Sequence, residues 1–304
     1  MAYFTTSSGV RLFYEVKGDP NGKETVAFLN GVMASTNSWS LLTPVFEKLG
    51  WRIILHDFKG QMKSDKPAGP YSFAQHCAEA RELFLSLGAE QLHLIGTSYG
   101  GETAMKFAIL YPEMVKTISV IDSVSELDDV LSGFVLGWKI LCDTKDGETF
   151  FWGMAPSIYG PDFIRDNKAM LTERAKATKA ANADYLEGQK ILYDTFAQDV
   201  TMTDELGSIR CPALILCGEQ DILKPPPLLQ NHGRRYPRRR VPHHPRLRTC
   251  GHLRKAQGAG ERHPRLYPQA HDLKSIAQKI AKSRRSASTG GPTAFPCFMY
   301  FFRL

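Results

Sequence analysis

The chain has 304 residues, of which 43% are hydrophobic and 23% charged. That is enough apolar side chain for a large buried core, and it excludes disordered, collagen-like and coiled-coil chains. The formal charge of +7 is unevenly spread: residues 1–226 hold 21 Lys+Arg against 29 Asp+Glu, whereas residues 227–272 hold 10 Arg and 1 Lys against Glu261 and Asp272. The body is acidic and the basic character belongs to the carboxyl-terminal segment, so the overall charge is no argument for a nucleic-acid partner.

In chain order, apolar runs rich in β-branched residues fall at 10–16, 25–29, 52–56, 92–95, 117–121 and 213–217. Helix-length segments at 40–49, 72–87 and 101–111 lie between them. Short apolar strands alternating with helices predict a mostly parallel sheet with helices on both faces, an α/β fold. The turn-rich Gly18-Asp19-Pro20-Asn21-Gly22 between the first two runs predicts an antiparallel hairpin there. Between 122 and 207 the strand pattern stops and helices rich in aromatics take over, among them Trp138, Phe150, Phe151, Tyr193 and Phe196. This segment reads as an inserted helical lid, or equally as a helical subdomain that keeps its aromatics for its own core. The expected organisation is a core at 1–121 and 208–226, a lid at 122–207, and an aberrant, poorly ordered Arg/Pro-rich and apolar tail at 227–304.

No basic start followed by a short apolar run opens the chain, and no run of about 18 apolar residues occurs, so a cytoplasmic protein without membrane contact is expected. The six cysteines form no CxxC pair and no metal-binding spacing with histidine. No metal and no cofactor are expected.

The strongest local signal is Gly96-Thr97-Ser98-Tyr99-Gly100, which links a buried apolar run to a helix. A serine in such a strand-to-helix turn is pushed out at the carboxyl end of the sheet, and small residues on both sides let strand and helix pass closely. The N–H of Tyr99, at the start of that helix, would face a developing oxyanion. Asn30-Gly31-Val32-Met33 follows the strand at 25–29 and offers the Val32 N–H from the other side. Asp221, in Gly218-Glu219-Gln220-Asp221, follows the run at 213–217 and is placed to orient a histidine.

Together with His56-Asp57-Phe58-Lys59-Gly60-Gln61-Met62-Lys63-Ser64, these motifs resemble the α/β-hydrolase superfamily, in its lid-bearing serine esterase, lactonase and haloperoxidase-like branch. Lys59, Met62 and Asn30 depart from the family pattern, which has Arg, Gly and His at the corresponding places. The resemblance implies a hydrolase of carboxylic esters or lactones with a small-molecule substrate, using Ser98, Asp221 and a histidine as triad and Val32 and Tyr99 as oxyanion donors. Serine at the elbow argues against dehalogenase and epoxide-hydrolase chemistry, which uses aspartate there. Tyr99 and the aromatics of the insertion point to a small or medium apolar acyl group. The alternative is a catalytically impaired protein that keeps the fold only to bind a small ligand or partner.

The carboxyl end breaks the pattern. Arg238–Arg240 with Pro237 and Pro242 would bury charge and delete ladder donors in a parallel strand, so no last strand is expected. Cys250-Gly251-His252 supplies the best literal base, His252, 31 residues after Asp221. A one-base slip at Leu228 is the other reading: the shifted frame allows a strand ending in Gly-His over residues 240–250 and a stop at 273–274.

Overall fold

The computed structural model describes residues 2–181, 184–218 and 221–225, and the backbone of 239–240. The strands are β1 (Ala2–Thr5), β2 (Arg11–Gly18), β3 (Thr25–Leu29), β4 (Arg52–His56), β5 (Leu92–Thr97), β6 (Val115–Ile121), β7 (Ala213–Leu216) and β8 (Arg239–Arg240). They form one sheet in the order β1-β2-β4-β3-β5-β6-β7-β8. β1, β2 and β4 pair antiparallel, and every pairing from β4 through β3 to β8 is parallel.

The predicted hairpin between β2 and β3 does not form. β2 pairs instead with β4, Tyr14 opposite His56, and makes its hairpin with β1. All five residues of β3 are buried, so β3 takes a central place between β4 and β5. β2 is buried only at Leu12 and Phe13 and open to varying degrees elsewhere, which suits a place nearer the edge. β1 was not visible in the sequence as a strand: four residues with alternating partial burial carry little apolar signal.

Successive β3 residues face opposite layers. Val26 and Phe28 pack with Trp39, Phe46, Ile53 and Leu55 beneath α1 (Thr43–Lys48), with the Phe28 and Trp39 rings 4.6 Å apart. Ala27 and Leu29 face the larger cluster, which α2 (Phe73–Ser86) and α3 (Tyr99–Leu110) cover. α2 starts at a capping box in which the Ser72 hydroxyl accepts from the Gln75 N–H.

Between β6 and β7 lie the inserted helices α4 (Asp129–Asp143), α5 (Gly147–Ile158), α6 (Pro161–Asp166), α7 (Lys168–Lys179) and α8 (Asp184–Asp199). Their aromatics divide. Trp138, Phe150, Tyr185, Tyr193 and Phe196 join the sheet's own core, while Phe151, Tyr159 and Phe163 form a separate cluster with Leu171 and Ala175. The insertion is thus packed down on the sheet.

β8 corrects a second expectation. Arg239 and Arg240 pair with Ala213 and Leu214 of β7 in the literal reading frame, where the sequence predicts no strand. Edge pairing uses backbone N–H and C=O groups, which arginine supplies like any other residue. The described residues give no support for a slipped frame; the remainder of 226–304, with its predicted tail, lies outside them. Among the described residues, no helix is long and apolar enough to cross a membrane.

Candidate active site

β5 ends at Thr97 and α3 begins at Tyr99, leaving Ser98 alone in the turn with φ 51° and ψ −125°. This is a left-handed conformation that a residue with a Cβ adopts only under constraint. The glycines show the constraint: a Cβ on Gly96 would lie 2.1 Å from the Gly100 oxygen, and one on Gly101 would lie 2.0 Å from Ser123 Oγ. At Gly96 bare backbone lets the strand and the helix cross closely, and at Gly101 it makes room for the Ser123 side chain after β6. The helix starts at Tyr99, two residues before the segment 101–111 read from the sequence, because Ser98 itself is the cap.

The loop after β3 lies against the turn, since a Cβ on Gly31 would stand 3.5 Å from Ser98 Cβ. Buried side chains fix this loop. Gln61 Nε2 donates to the carbonyls of Gly31 and Val32 at 2.9 and 3.3 Å. Asn30 Nδ2 donates to the His56 carbonyl and to Asp57 Oδ1, and its Oδ1 accepts from Trp39 Nε1 at 2.7 Å. Asn30 is therefore a buried brace between β3 and β4. Burial lifts the Asp57 carboxyl to about 6 despite the donors of Lys63, Thr36 and Asn30. Lys59, in the same loop, makes a buried ion pair with Glu79 at 2.7 Å.

The Tyr99 ring packs against Phe58, Phe73 and His76 and is 1% exposed. It is core, and does not face a substrate as the sequence reading has it.

Asp122, just after β6, is also left-handed at φ 47°. Its N–H donates to the Leu216 carbonyl, its Oδ1 accepts from the Gly218 N–H at 2.9 Å, and the Ser98 N–H donates to the neighbouring Ile121 carbonyl. The carboxyl ends of β5, β6 and β7 are thus tied together. Burial, and then the charge of Asp221, hold the Asp122 carboxyl well above the usual carboxylate range. Ligand atoms of Asp122, Cys217 and Asp221 lie within 4.8 Å of one another.

The structure brings Asp221 to this rim, but its Oδ1 accepts from the N–H groups of Leu223 and Lys224, both at 2.9 Å. It braces the loop that carries Lys224. His252 lies outside the described residues. Of the described histidines, His56 and His76 are buried in the core, and His93 pairs with Glu24 at 3.1 Å near the amino end of β5.

Among the described residues, the charged group beside the serine is Lys224, whose Nζ stands 3.0 Å from Ser98 Oγ and 2.7 Å from Glu102 Oε1. The Val124 N–H also donates to Glu102 Oε1, at 2.8 Å. Burial raises the Glu102 carboxyl to about 7, with Lys224 pulling the other way. Phe196 of α8 places its ring 4.9 Å from Lys224 Nζ. Sequence reasoning passed over Lys224 and Glu102, which are 122 residues apart. Only the four-residue spacing of Ser98 and Glu102, one helical turn, was a local signal.

A family model described as alpha/beta hydrolase fold matches residues 24–253. The chain belongs to the α/β-hydrolase family. Curated relatives of this α/β-hydrolase differ in activity. A putative 2-succinyl-6-hydroxy-2,4-cyclohexadiene-1-carboxylate synthase of Bacillus subtilis is 27% identical, over 71% of this chain and 80% of its own. A fluoroacetate dehalogenase of a Burkholderia species is 23% identical, over 64% and 71%. Among solved structures, an α/β-hydrolase enzyme from a Medee basin deep-sea metagenome library superposes with a TM-score of 0.73 at 26% identity, covering 79% of this chain and 87% of its own. An enol-lactonase from Burkholderia xenovorans shares the fold with a TM-score of 0.71 at 16% identity, over 79% and 90%.

Proposed function

We propose that this α/β-hydrolase cleaves carboxylic esters or lactones of small molecules, with Ser98 as nucleophile. The observation that carries this reading is the turn at Ser98: a half-buried residue at the carboxyl end of β5 with φ 51°, in a crossing where a Cβ on Gly96 or Gly100 would meet backbone. In this reading Ser98 Oγ attacks the acyl carbon, and the N–H groups of Val32 and Tyr99 receive the carbonyl oxygen as it becomes an oxyanion. Tyr99 is the first residue of α3, whose opening N–H groups have no acceptor within the helix. The Gln61 bonds to the Gly31 and Val32 carbonyls support a fixed orientation for the opposing amide. The acyl-enzyme is then hydrolysed, giving a carboxylic acid and an alcohol, or a single hydroxy acid from a lactone. A hydroxyl at this turn forms an ester intermediate that water opens by ordinary acyl transfer, which favours acyl substrates over the dehalogenation named for one relative. The inserted helices serve as the lid, with Phe196 reaching the site.

The test is labelling by a fluorophosphonate probe followed by peptide mass spectrometry. Ser98 is the expected site, and Ser98→Ala is expected to lose both labelling and p-nitrophenyl ester turnover. Turnover retained in Ser98→Ala would overturn the reading. A wild-type protein that is never labelled but binds small apolar acids would favour the ligand-binding alternative.

A further inference from the structure

The loop that faces Ser98 is gripped by one side chain, and the segment carrying that side chain is packed against an inserted helix. Gln61 is 0% exposed, and its carboxamide is used on both sides. Nε2 donates to the Gly31 and Val32 carbonyls at 2.9 and 3.3 Å, and Oε1 accepts from the Phe58 N–H at 3.1 Å and from Asn30 Nδ2 at 3.3 Å. From this geometry we infer that Gln61 is the positioning residue for the Val32 oxyanion donor, and that α8 keeps Gln61 in place through Gly60. The inference rests on Ser98 being the nucleophile, and it goes beyond that reading by naming what aims the opposing N–H.

The Gly31 carbonyl and the Val32 N–H belong to one trans peptide unit. In such a unit the two point in opposite directions, so holding the carbonyl toward Gln61 turns the N–H away from it. Glycine at 31 puts no side chain in the way of rotation about this unit, and a rotated unit would offer a carbonyl oxygen where an oxyanion needs a donor. Gln61 opposes that rotation, because it would cost the buried Nε2 its shorter bond. The carboxamide cannot itself reverse without turning its NH2 toward the donors of Phe58 and Asn30.

α8 closes on the loop that carries Gln61. A Cβ on Gly188 would stand 2.4 Å from the Gly60 oxygen, so helix and loop meet backbone to backbone one residue before Gln61. Leu192 lies 3.2 Å from where a Gly60 Cβ would be, and Ile191 lies 2.8 Å from the same point on Gly69. Asp184 pairs with Lys66 at 3.6 Å. Asp184, Gly188, Ile191 and Leu192 recur at helical spacing, so one face of α8 serves this loop. Gly60 is tied on its own side as well, its N–H donating to the Asp65 carbonyl at 2.9 Å. A displacement of the Gly60 oxygen is therefore passed on to Gln61.

No bond is made or broken at Gln61. Its effect is confined to the step in which the carbonyl oxygen gains charge, so it belongs in kcat and not in KM.

The experiment measures kcat and KM for p-nitrophenyl acetate in the full chain, Gln61→Met, Gly188→Ala and the double variant. It also measures inhibition by hexyl trifluoromethyl ketone, whose adduct with a serine carries an oxyanion. Gln61→Met is expected to lower kcat by about 10²-fold, the scale on which an oxyanion donor counts, with KM within about threefold. The trifluoromethyl ketone should bind more weakly by a factor matching the loss in kcat/KM, while hexyl methyl ketone, a mimic of the neutral ground state, keeps its affinity. Gly188→Ala, remote from the reacting atoms, should lower kcat about 10-fold alone and add little on top of Gln61→Met. Gly133→Ala in α4, where a Cβ meets nothing within 4 Å, is the control and should match the full chain. Thermal unfolding establishes that each variant is folded at the assay temperature, and Gln61→Leu repeats the test if Gln61→Met is not.

A folded Gln61→Met or Gln61→Leu with the kcat of the full chain overturns the inference, as does a loss in kcat that leaves the trifluoromethyl ketone bound as tightly as before. Should neither fold, Gly188→Ala with unchanged binding of that ketone overturns it. Equal losses from Gly188→Ala with and without Gln61 overturn the part given to α8. Absence of fluorophosphonate labelling at Ser98 in the full chain instead sinks the hydrolase reading itself, and the positioning role with it.

Discussion

A Cβ built on Gly100 would stand 2.0 Å from the Leu29 carbonyl oxygen, so the end of β3 and the first turn of α3 meet backbone to backbone. No rotamer change relieves a clash with a carbonyl. Gly100→Ala is therefore expected to destabilise the protein by about 1–3 kcal/mol or more, the range for overpacking a filled interior. It should also displace Ser98. Chemical denaturation and the fluorophosphonate labelling rate, measured together, check this: an Ala variant with wild-type midpoint and labelling would mean that the two segments separate easily.

Ser98 itself is strained at φ 51° and ψ −125°. Glycine adopts this conformation without a Cβ penalty, so Ser98→Gly is expected to be inactive yet more stable than the parent, by about 1–3 kcal/mol. Thermal unfolding reads the gain as a rise of a few degrees. A melting temperature at or below that of the parent would show that the turn is relaxed with serine in place.

His56 is buried between Phe58 and Phe84, and desolvation lowers its pKa to about 4. The unfolded chain takes up this proton near the ordinary value of 6.5 while the folded chain resists it. The resulting stability is fully present above 6.5 and is lost as pH falls from 6.5 toward 4. Replacing the ring by an apolar one of similar size, His56→Phe, should remove up to about 1.4 kcal/mol per pH unit of acid sensitivity across that window. Urea unfolding at pH 7, 6 and 5 provides the comparison, and parallel curves for the two proteins would exclude His56 as a source of it.

Lys59 and Glu79 form a buried pair at 2.7 Å, with the Lys59 amine also 4.9 Å from the Tyr71 ring. Removing one partner strands the other charge away from water. Glu79→Leu alone is expected to cost about 3–5 kcal/mol, and Lys59→Met combined with Glu79→Leu to recover most of it. A double-mutant cycle by denaturation measures the recovery, and simple additivity of the two losses would show that the charges do not depend on each other.

The sequence disclosed what local pattern can carry. The bounds of β3 and β4 are legible because continuous apolar runs end at turn residues, and the elbow is legible because its spacing places glycine at the close crossings of residues 96 and 100. The β2–β3 hairpin was misread because turn residues between two runs say that the chain bends, not which strand it then pairs with. Lys224 drew no notice in its loop, since its contacts with Ser98 and Glu102 join residues far apart in the sequence. Tyr99 was given a substrate-facing side chain on its residue type alone, whereas the helix turns that ring inward. Asp221 does lie at the carboxyl end of the sheet, and the hydrogen bonds it makes among the described residues go to its own loop.

The stitch of Ile121 and Asp122 to Ser98, Leu216 and Gly218 joins three strand ends by hydrogen bonds to one short segment. Its consequence is one of timing. Parts that could otherwise drift independently lose their freedom when the sheet assembles, so the entropy of aligning the serine with the loop beyond β7 is surrendered once per folding event and not once per turnover. In the hydrolase reading proposed above, a substrate entering this rim would have little beyond its own freedom left to give up.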